Sequence, residues 1–171
     1  CPDETYQKFV DDNADWLEDY GLFMSLKEKF RGRPWYEWSI SLMIRLPEMI
    51  RSIRRELDDS VQFHYFLQYQ FFRQWKALRR YANDRGIKII GDVPIYVPLD
   101  SVEVWKEPQM FQLDENLNPK VVAGCPPDSV YKNGQTWGNP LYNWDKMKET
   151  GFVWWIRRLA AAAKMYDAVR M

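Results

Sequence analysis

Two hydrophobic rhythms run along this chain, and the switch between them divides it. From Tyr6-Gln7-Lys8-Phe9-Val10 through Trp16 to Phe23, apolar residues return every three or four positions. That is the period of a helix with one packed face, here carrying Trp16, Tyr20, Phe23 and Leu26 or Lys27. Gly32 and Pro34 end the segment, and an aromatic knot, Trp35-Tyr36-Glu37-Trp38, follows. A charged amphipathic stretch then covers residues 47–59. The longest helical pattern, residues 61–85, has Phe63, Phe66, Leu67, Phe71, Trp75 and Leu78 as its apolar stripe and Gly86 as its C-cap.

Past Gly86 the period changes. Ile87-Lys88-Ile89-Ile90 is short, branched and mostly apolar, the text of a buried parallel strand, and Gly91-Asp92-Val93-Pro94-Ile95-Tyr96-Val97 continues it. Asp92 thereby falls at the carboxyl end of a strand, where barrels and open sheets place their chemistry. A cap on turn N–H groups is the equal alternative for it. Residues 98–144 exceed an ordinary connection and read as a functional excursion. Within them Asp100 or Ser101 caps a helical turn, residues 110–114 alternate like a small strand, and residues 115–119 form a turn. Gly134-Gln135-Thr136-Trp137-Gly138-Asn139-Pro140-Leu141-Tyr142 joins glycines and amides to two rings, components that hydrogen-bond a sugar while stacking on its apolar face. The alternative for Trp137 and Tyr142 is a purely structural role in pinning the loop. Residues 151–167 are helical again, and Ala168-Val169-Arg170-Met171 opens another strand. The succession strand, helix, strand predicts an α/β fold, either a βα barrel or an open sheet.

Composition narrows the chemistry. The 171 residues carry 24 Lys and Arg against 24 Asp and Glu, so no net field attracts phosphate backbones, and nucleic acid is not an expected partner. Aromatic residues are in excess, with 9 Trp, 10 Tyr and 9 Phe, which suits sugar stacking. Cys1 and Cys125 make no disulfide framework, and a single histidine leaves the usual zinc sets incomplete, so neither metal nor cofactor is expected and a cytoplasmic setting fits. His64 reads as a structural or surface residue, Cys125 as a packing residue, and Asp11-Asp12-Asn13-Ala14-Asp15 as a solvated helix start, since Trp16 fills the slot where a calcium loop needs glycine. No apolar run reaches membrane-spanning length. Both ends, Cys1-Pro2 and Val169-Arg170-Met171, read as cuts through a longer protein.

Five ordered motifs carry a resemblance: Gly91-Asp92-Val93-Pro94-Ile95-Tyr96-Val97; Asp100-Ser101-Val102-Glu103-Val104-Trp105; Val122-Ala123-Gly124-Cys125-Pro126-Pro127-Asp128; the Gly134 to Tyr142 run with Asn143-Trp144; and Gly151-Phe152-Val153-Trp154-Trp155 with Arg157 or Arg158. Together they resemble the amylomaltases, the 4-alpha-glucanotransferases of glycoside hydrolase family 77. The resemblance implies the internal portion of a (β/α)8 TIM barrel with helical and loop insertions. Residues 1–86 then form a helical subdomain and barrel helix, 87–97 a barrel strand, 98–150 the glucan-site loop, and 151–171 a barrel helix with the start of the nucleophile strand.

It also implies transfer of α-1,4-glucan segments between maltooligosaccharides, starch- or glycogen-derived, by a retaining mechanism that needs two carboxylates and no cofactor. The family pattern puts the nucleophilic aspartate directly after the position of Met171 and the acid/base glutamate further on, so these 171 residues alone are expected to be inactive. Arg170 matches the arginine that orients the nucleophile, and Asp92 the aspartate supporting the donor-side pocket. Tyr96 offers that sugar a ring, Gln135 and Trp137 match a mobile loop over the site, and Asp128, Asn139, Pro140 and Tyr142 shape the base of that loop or contact the glucan. Val102, Glu103 and Cys125 depart from common family text without removing a catalytic group. A hydrolase, a non-catalytic glucan-binding module and a structural fragment are the alternatives.

Overall fold

The computed structural model describes residues 4–171, and Cys1 lies outside them. Two compact units follow one another, one ending at Ile87 and the other running from Lys88 to Met171.

The first unit is helical. Its elements are α1 (Glu4–Asp12), α2 (Ala14–Lys29), a 3-10 turn at Trp35–Glu37, α3 (Ile40–Met43), α4 (Pro47–Glu56) and α5 (Asp58–Asn83). The single N-terminal helix expected from the periodicity is two helices. Asn13 interrupts it, with its side-chain amide donating to Phe9 O while its carbonyl oxygen accepts from Trp16 Nε1. Such a side chain competes with the helical backbone for hydrogen bonds. α2 buries Leu17, Leu22, Phe23 and Leu26, and Trp35, Trp38, Leu42, Ile53, Val61 and Tyr65 complete this core. Charged residues tie the helices at its margin: Arg54 reaches Glu18 at 3.1 Å and the Tyr65 hydroxyl at 2.7 Å, and Arg45 pairs with Asp19. α5 ends as expected, the chain leaving it through Gly86 at φ +74 with Ile87 N bonded back to Ala82 O.

The packed face of α5 is not the expected stripe. Phe63, Phe66, Leu67, Phe71 and Leu78 are exposed, whereas Val61, His64 and Tyr65 are buried. Tyr69 and Phe72 meet Phe9 at 5.7 and 5.6 Å, and Phe72 meets Trp16 at 5.9 Å. A helix apolar on two sides leaves periodicity unable to name the side that packs within its unit. His64 takes the structural one of its two expected settings, edge-on to Tyr20 and 3.3 Å from Glu28.

The second unit contains β1 (Ile90–Asp92), α6 (Val102–Lys106), a 3-10 turn at Pro108–Met110, β2 (Val122–Cys125), β3 (Gln135–Pro140), α7 (Trp144–Glu149), α8 (Val153–Met165) and β4 (Ala168–Arg170). β1 and β4 pair in parallel, Ile90 opposite Ala168, Gly91 opposite Val169 and Asp92 opposite Arg170. β2 and β3 form an antiparallel pair. The described residues thus hold two two-stranded sheets and no closed barrel.

The expected strand is also shorter than its apolar text. Residues 87–89 precede it because β4 reaches only to Ile90; there Ile89 N is taken by the Asp167 carboxylate instead. With one neighbour strand, Ile90 is exposed rather than buried. Ser101 caps α6 through Val104 N, and the alternation at 110–114 survives only as isolated bridges, Phe111 to Tyr142 and Leu113 to Pro119. Val93, Val97, Trp105, Phe111, Tyr142, Met147 and Trp154 form the core. Among the described residues, no helix is long and apolar enough to cross a membrane.

Two substitutions test the helical packing. A Cβ on Gly21 would lie 2.4 Å from the Tyr65 ring, so Gly21→Ala forces α2 from α5 and is expected to cost about 1–3 kcal/mol. Leu17→Ala, at a position with no exposure, is expected to cost about 2–5 kcal/mol. Urea denaturation measures both, and a loss below about 0.5 kcal/mol for each contradicts this packing.

Candidate active site

The site is built where β1 and β4 end together. Parallel register sets Asp92 opposite Arg170, and the side chains close a two-pronged pair. Nη2 donates to Oδ2 at 2.6 Å and Nε to Oδ1 at 3.2 Å. This hydrogen bond from Arg170 is the main reason the Asp92 carboxyl sits below the usual carboxylate range, and Asp92 in turn pushes the guanidinium up. The capping alternative for Asp92 is therefore corrected: its carboxylate is turned to a cation that the register delivers. With Arg170 75% and Asp92 61% exposed, the pair adds little stability, and its consequence is orientation.

Beyond Asp92 the strand cannot continue. Val93 N still reaches Arg170 O, but Pro94 has no N–H to offer. The released chain turns Tyr96 against two rings of the excursion, Tyr142 at 6.1 Å and nearly parallel, and Trp137 at 6.4 Å and tilted. Tyr142 is 2% exposed, and its hydroxyl donates to Ile95 O at 2.7 Å. Burial pushes this phenol up to about 12, against the opposing charge of Arg158, so it stays a protonated donor at neutral pH.

Trp137 owes its exposure to the hairpin's irregularity. Val122 faces Pro140 and Gly124 faces Thr136, so Trp137, Gly138 and Asn139 stand opposite Ala123 alone. Such a bulge lifts side chains out of the ladder. The indole is 49% exposed, and its N–H donates to Gln135 Oε1 at 2.9 Å, which fixes the ring's edge.

The remaining expected residues are distributed along the same excursion. Asp128 spends a carboxylate oxygen on Val130 N and Tyr131 N, shaping the turn before β3. Asn139 is half-buried, and Pro140 is buried at the end of β3. Tyr142 is buried beside it, two residues on. Thus Asp92 with Arg170, and Tyr96 with Trp137 and Tyr142, are brought together, while Asp128 is engaged locally.

The sequence did not separate Arg157 from Arg158. Arg157 points outward to both carboxylate oxygens of Glu107, at 2.9 and 2.7 Å. Arg158 lies over the rings of Trp154 and Trp155, at 5.3 and 5.8 Å, and donates to Pro94 O at 2.7 Å. The spacing of Trp154 and Arg158, four residues apart on one helix, was the available signal. Among the described residues no group of His, Cys, Asp and Glu is arranged to hold a metal ion.

Comparison with known proteins covers almost the whole chain. The family described as 4-alpha-glucanotransferase, glycoside hydrolase 77, matches residues 2–171. The 4-alpha-glucanotransferase of Clostridium butyricum is 46% identical over 170 residues, 99% of this chain and 35% of that protein. That of Thermus thermophilus is 48% identical over 168 residues, 98% of this chain and 34% of that protein. The amylomaltase from Streptococcus agalactiae, solved with acarbose, superposes at a TM-score of 0.91 with 43% identity, covering 96% of this chain and 33% of that one. The amylomaltase from Corynebacterium glutamicum shares the fold at a TM-score of 0.71 with 18% identity, covering 97% of this chain and 21% of that one. The chain spans about a third of the length of the curated relatives it matches. With that extent of agreement, the chain belongs to glycoside hydrolase family 77, the 4-alpha-glucanotransferase family.

Proposed function

We propose that this chain supplies the donor-side edge of a retaining 4-alpha-glucanotransferase, which moves α-1,4-glucan segments between maltooligosaccharides, and that it is an internal part of the family's barrel. The observation that carries the reading is the two-pronged Asp92–Arg170 pair at adjoining strand ends, in a chain matched by this family from residue 2 to residue 171. The acarbose bound by the Streptococcus agalactiae relative supports a saccharide ligand.

In this reading the attacking aspartate follows Met171, two residues beyond Arg170. A guanidinium has five N–H donors in a planar fork. Asp92 engages Nε and Nη2 and fixes the plane, leaving further donors for a second carboxylate, which the positive charge keeps ionised and nucleophilic. Trp137, with its edge held by Gln135, stacks on the apolar face of a glucose unit, and Tyr96 offers a second ring on the donor side. Asp128, Asn139, Pro140 and Tyr142 hold the loop in shape. Attack and acid/base proton transfer belong to the two carboxylates beyond Met171, and no cofactor enters. The low cysteine content accords with a cytoplasmic setting for such an enzyme.

Incubating the full-length enzyme with maltotriose tests the activity. Glucose together with maltodextrins longer than the substrate is the expected outcome, whereas maltose and glucose alone would establish a hydrolase. Trp137→Ala is expected to lower kcat/KM for maltotriose by roughly tenfold, the scale of a lost aromatic stack, and an unchanged value removes the indole from the donor site. For the ion pair, the Asp92 carboxyl is lowered in the folded protein. Its contribution is thus complete above the ordinary aspartate value of about 3.9 and is lost as pH falls through the lowered one. A carboxyl NMR titration should place Asp92 below about 3.9, and Arg170→Met should return it to that ordinary value. An Asp92 midpoint indifferent to Arg170 contradicts the pairing.

A further inference from the structure

Two consecutive carbonyls just beyond β1 are each held by a side chain from elsewhere in the unit. Pro94 O accepts from Arg158 Nη2 at 2.7 Å, and Ile95 O accepts from the Tyr142 hydroxyl at 2.7 Å. Residue 96 follows directly. Its ring lies nearly parallel to that of Tyr142, at 6.1 Å and 20°. The ladder to β4 ends with Val93 N on Arg170 O, and Pro94 carries no N–H, so the segment that presents Tyr96 has left the sheet.

We propose that Arg158 and Tyr142 form a two-point clamp on the Pro94 and Ile95 carbonyls that sets the Tyr96 ring for the donor sugar, making both positioning residues. This rests on the glucan reading of the site. The arginine suits the task in a way lysine does not. Its planar guanidinium lies over the faces of Trp154 and Trp155 while one edge donates to the carbonyl, so the clamp's first point is braced by α8. The second point is braced by burial: the Tyr142 ring packs against Phe111, Trp154 and Trp155, at 5.4, 5.3 and 5.2 Å, and its raised phenol remains a donor. Arg157, one residue earlier, is committed to Glu107 and takes no part.

The test uses Tyr142→Phe, which keeps the ring and deletes the donor, with Arg158→Met and the conservative Arg158→Lys. In the full-length enzyme the first two are expected to raise KM for maltotriose roughly tenfold with kcat changed less, the scale of one or two hydrogen bonds, and Arg158→Lys to recover part of the loss. In a Tyr96→Ala background both effects should vanish, because the clamp acts through that ring. Equal losses with and without Tyr96 assign Arg158 and Tyr142 to general stability and overturn the clamp. Independently of activity, the Tyr96 resonance of fluorotyrosine-labelled protein should be narrow in the parent and shifted or broadened in both variants. A resonance that neither variant moves overturns the clamp whatever the kinetics. A moved resonance in an enzyme that makes no longer maltodextrins keeps the hold on Tyr96 and refutes the glucan reading instead.

Discussion

Three residues of β1 lie against three residues of β4, and the second unit is organised by that contact. It joins positions 78 apart in the chain, with Asp92 meeting Arg170 at its last rung. Parallel strands cannot be joined by a tight turn, so the intervening chain must make an excursion and return through a helix, here α8. Once the strands are aligned, the charged pair needs no separate placement. The register alone brings guanidinium and carboxylate face to face, and it fixes where the sheet ends and the segment carrying Tyr96 begins.

Beyond the sheet, side chains take over the work of holding the backbone. Pro94 interrupts the ladder, and the carbonyls of residues 94 and 95 are taken by Arg158 and Tyr142, both anchored in an aromatic cluster with Phe111, Trp154 and Trp155. The rings of the second unit thus divide between two tasks. Phe111, Tyr142, Trp154 and Trp155 build the base from which the loop rises, while Trp137 is lifted outward by the hairpin's bulge and left half exposed. The helical unit divides its residues between an apolar core and a charged margin. Leu17, Leu22 and Leu26 of α2 close against Val61 and Tyr65, and Arg45 and Arg54 tie the helices from outside.

Much of this was legible along the chain. The helical period located α5 and the end of α8, Gly86 marked a helix terminus, and Ser101 was one of two named caps. Other features were hidden for identifiable reasons. Asn13 splits one periodic segment because a side-chain amide can outbid the helix backbone locally. The hairpin of β2 and β3 shows no alternation, since glycines, an asparagine and a proline interrupt it and its pairing is irregular. α5 has apolar residues on more than one side, so period alone named a stripe that its own unit leaves exposed.

By itself the sequence determined what depends on near neighbours: helix periods, caps, the breaks at glycine and proline, and the ordered motifs that mark the family. The tertiary structure decided which partner each side chain meets. It sent Arg158 inward and Arg157 outward, turned Asp92 to Arg170 rather than to backbone N–H groups, and buried Tyr142 while exposing Trp137. The reason is one of range. Helix hydrogen bonds and caps act within about four residues, whereas burial and charge pairing depend on segments that arrive from dozens of residues away, carried there by the fold.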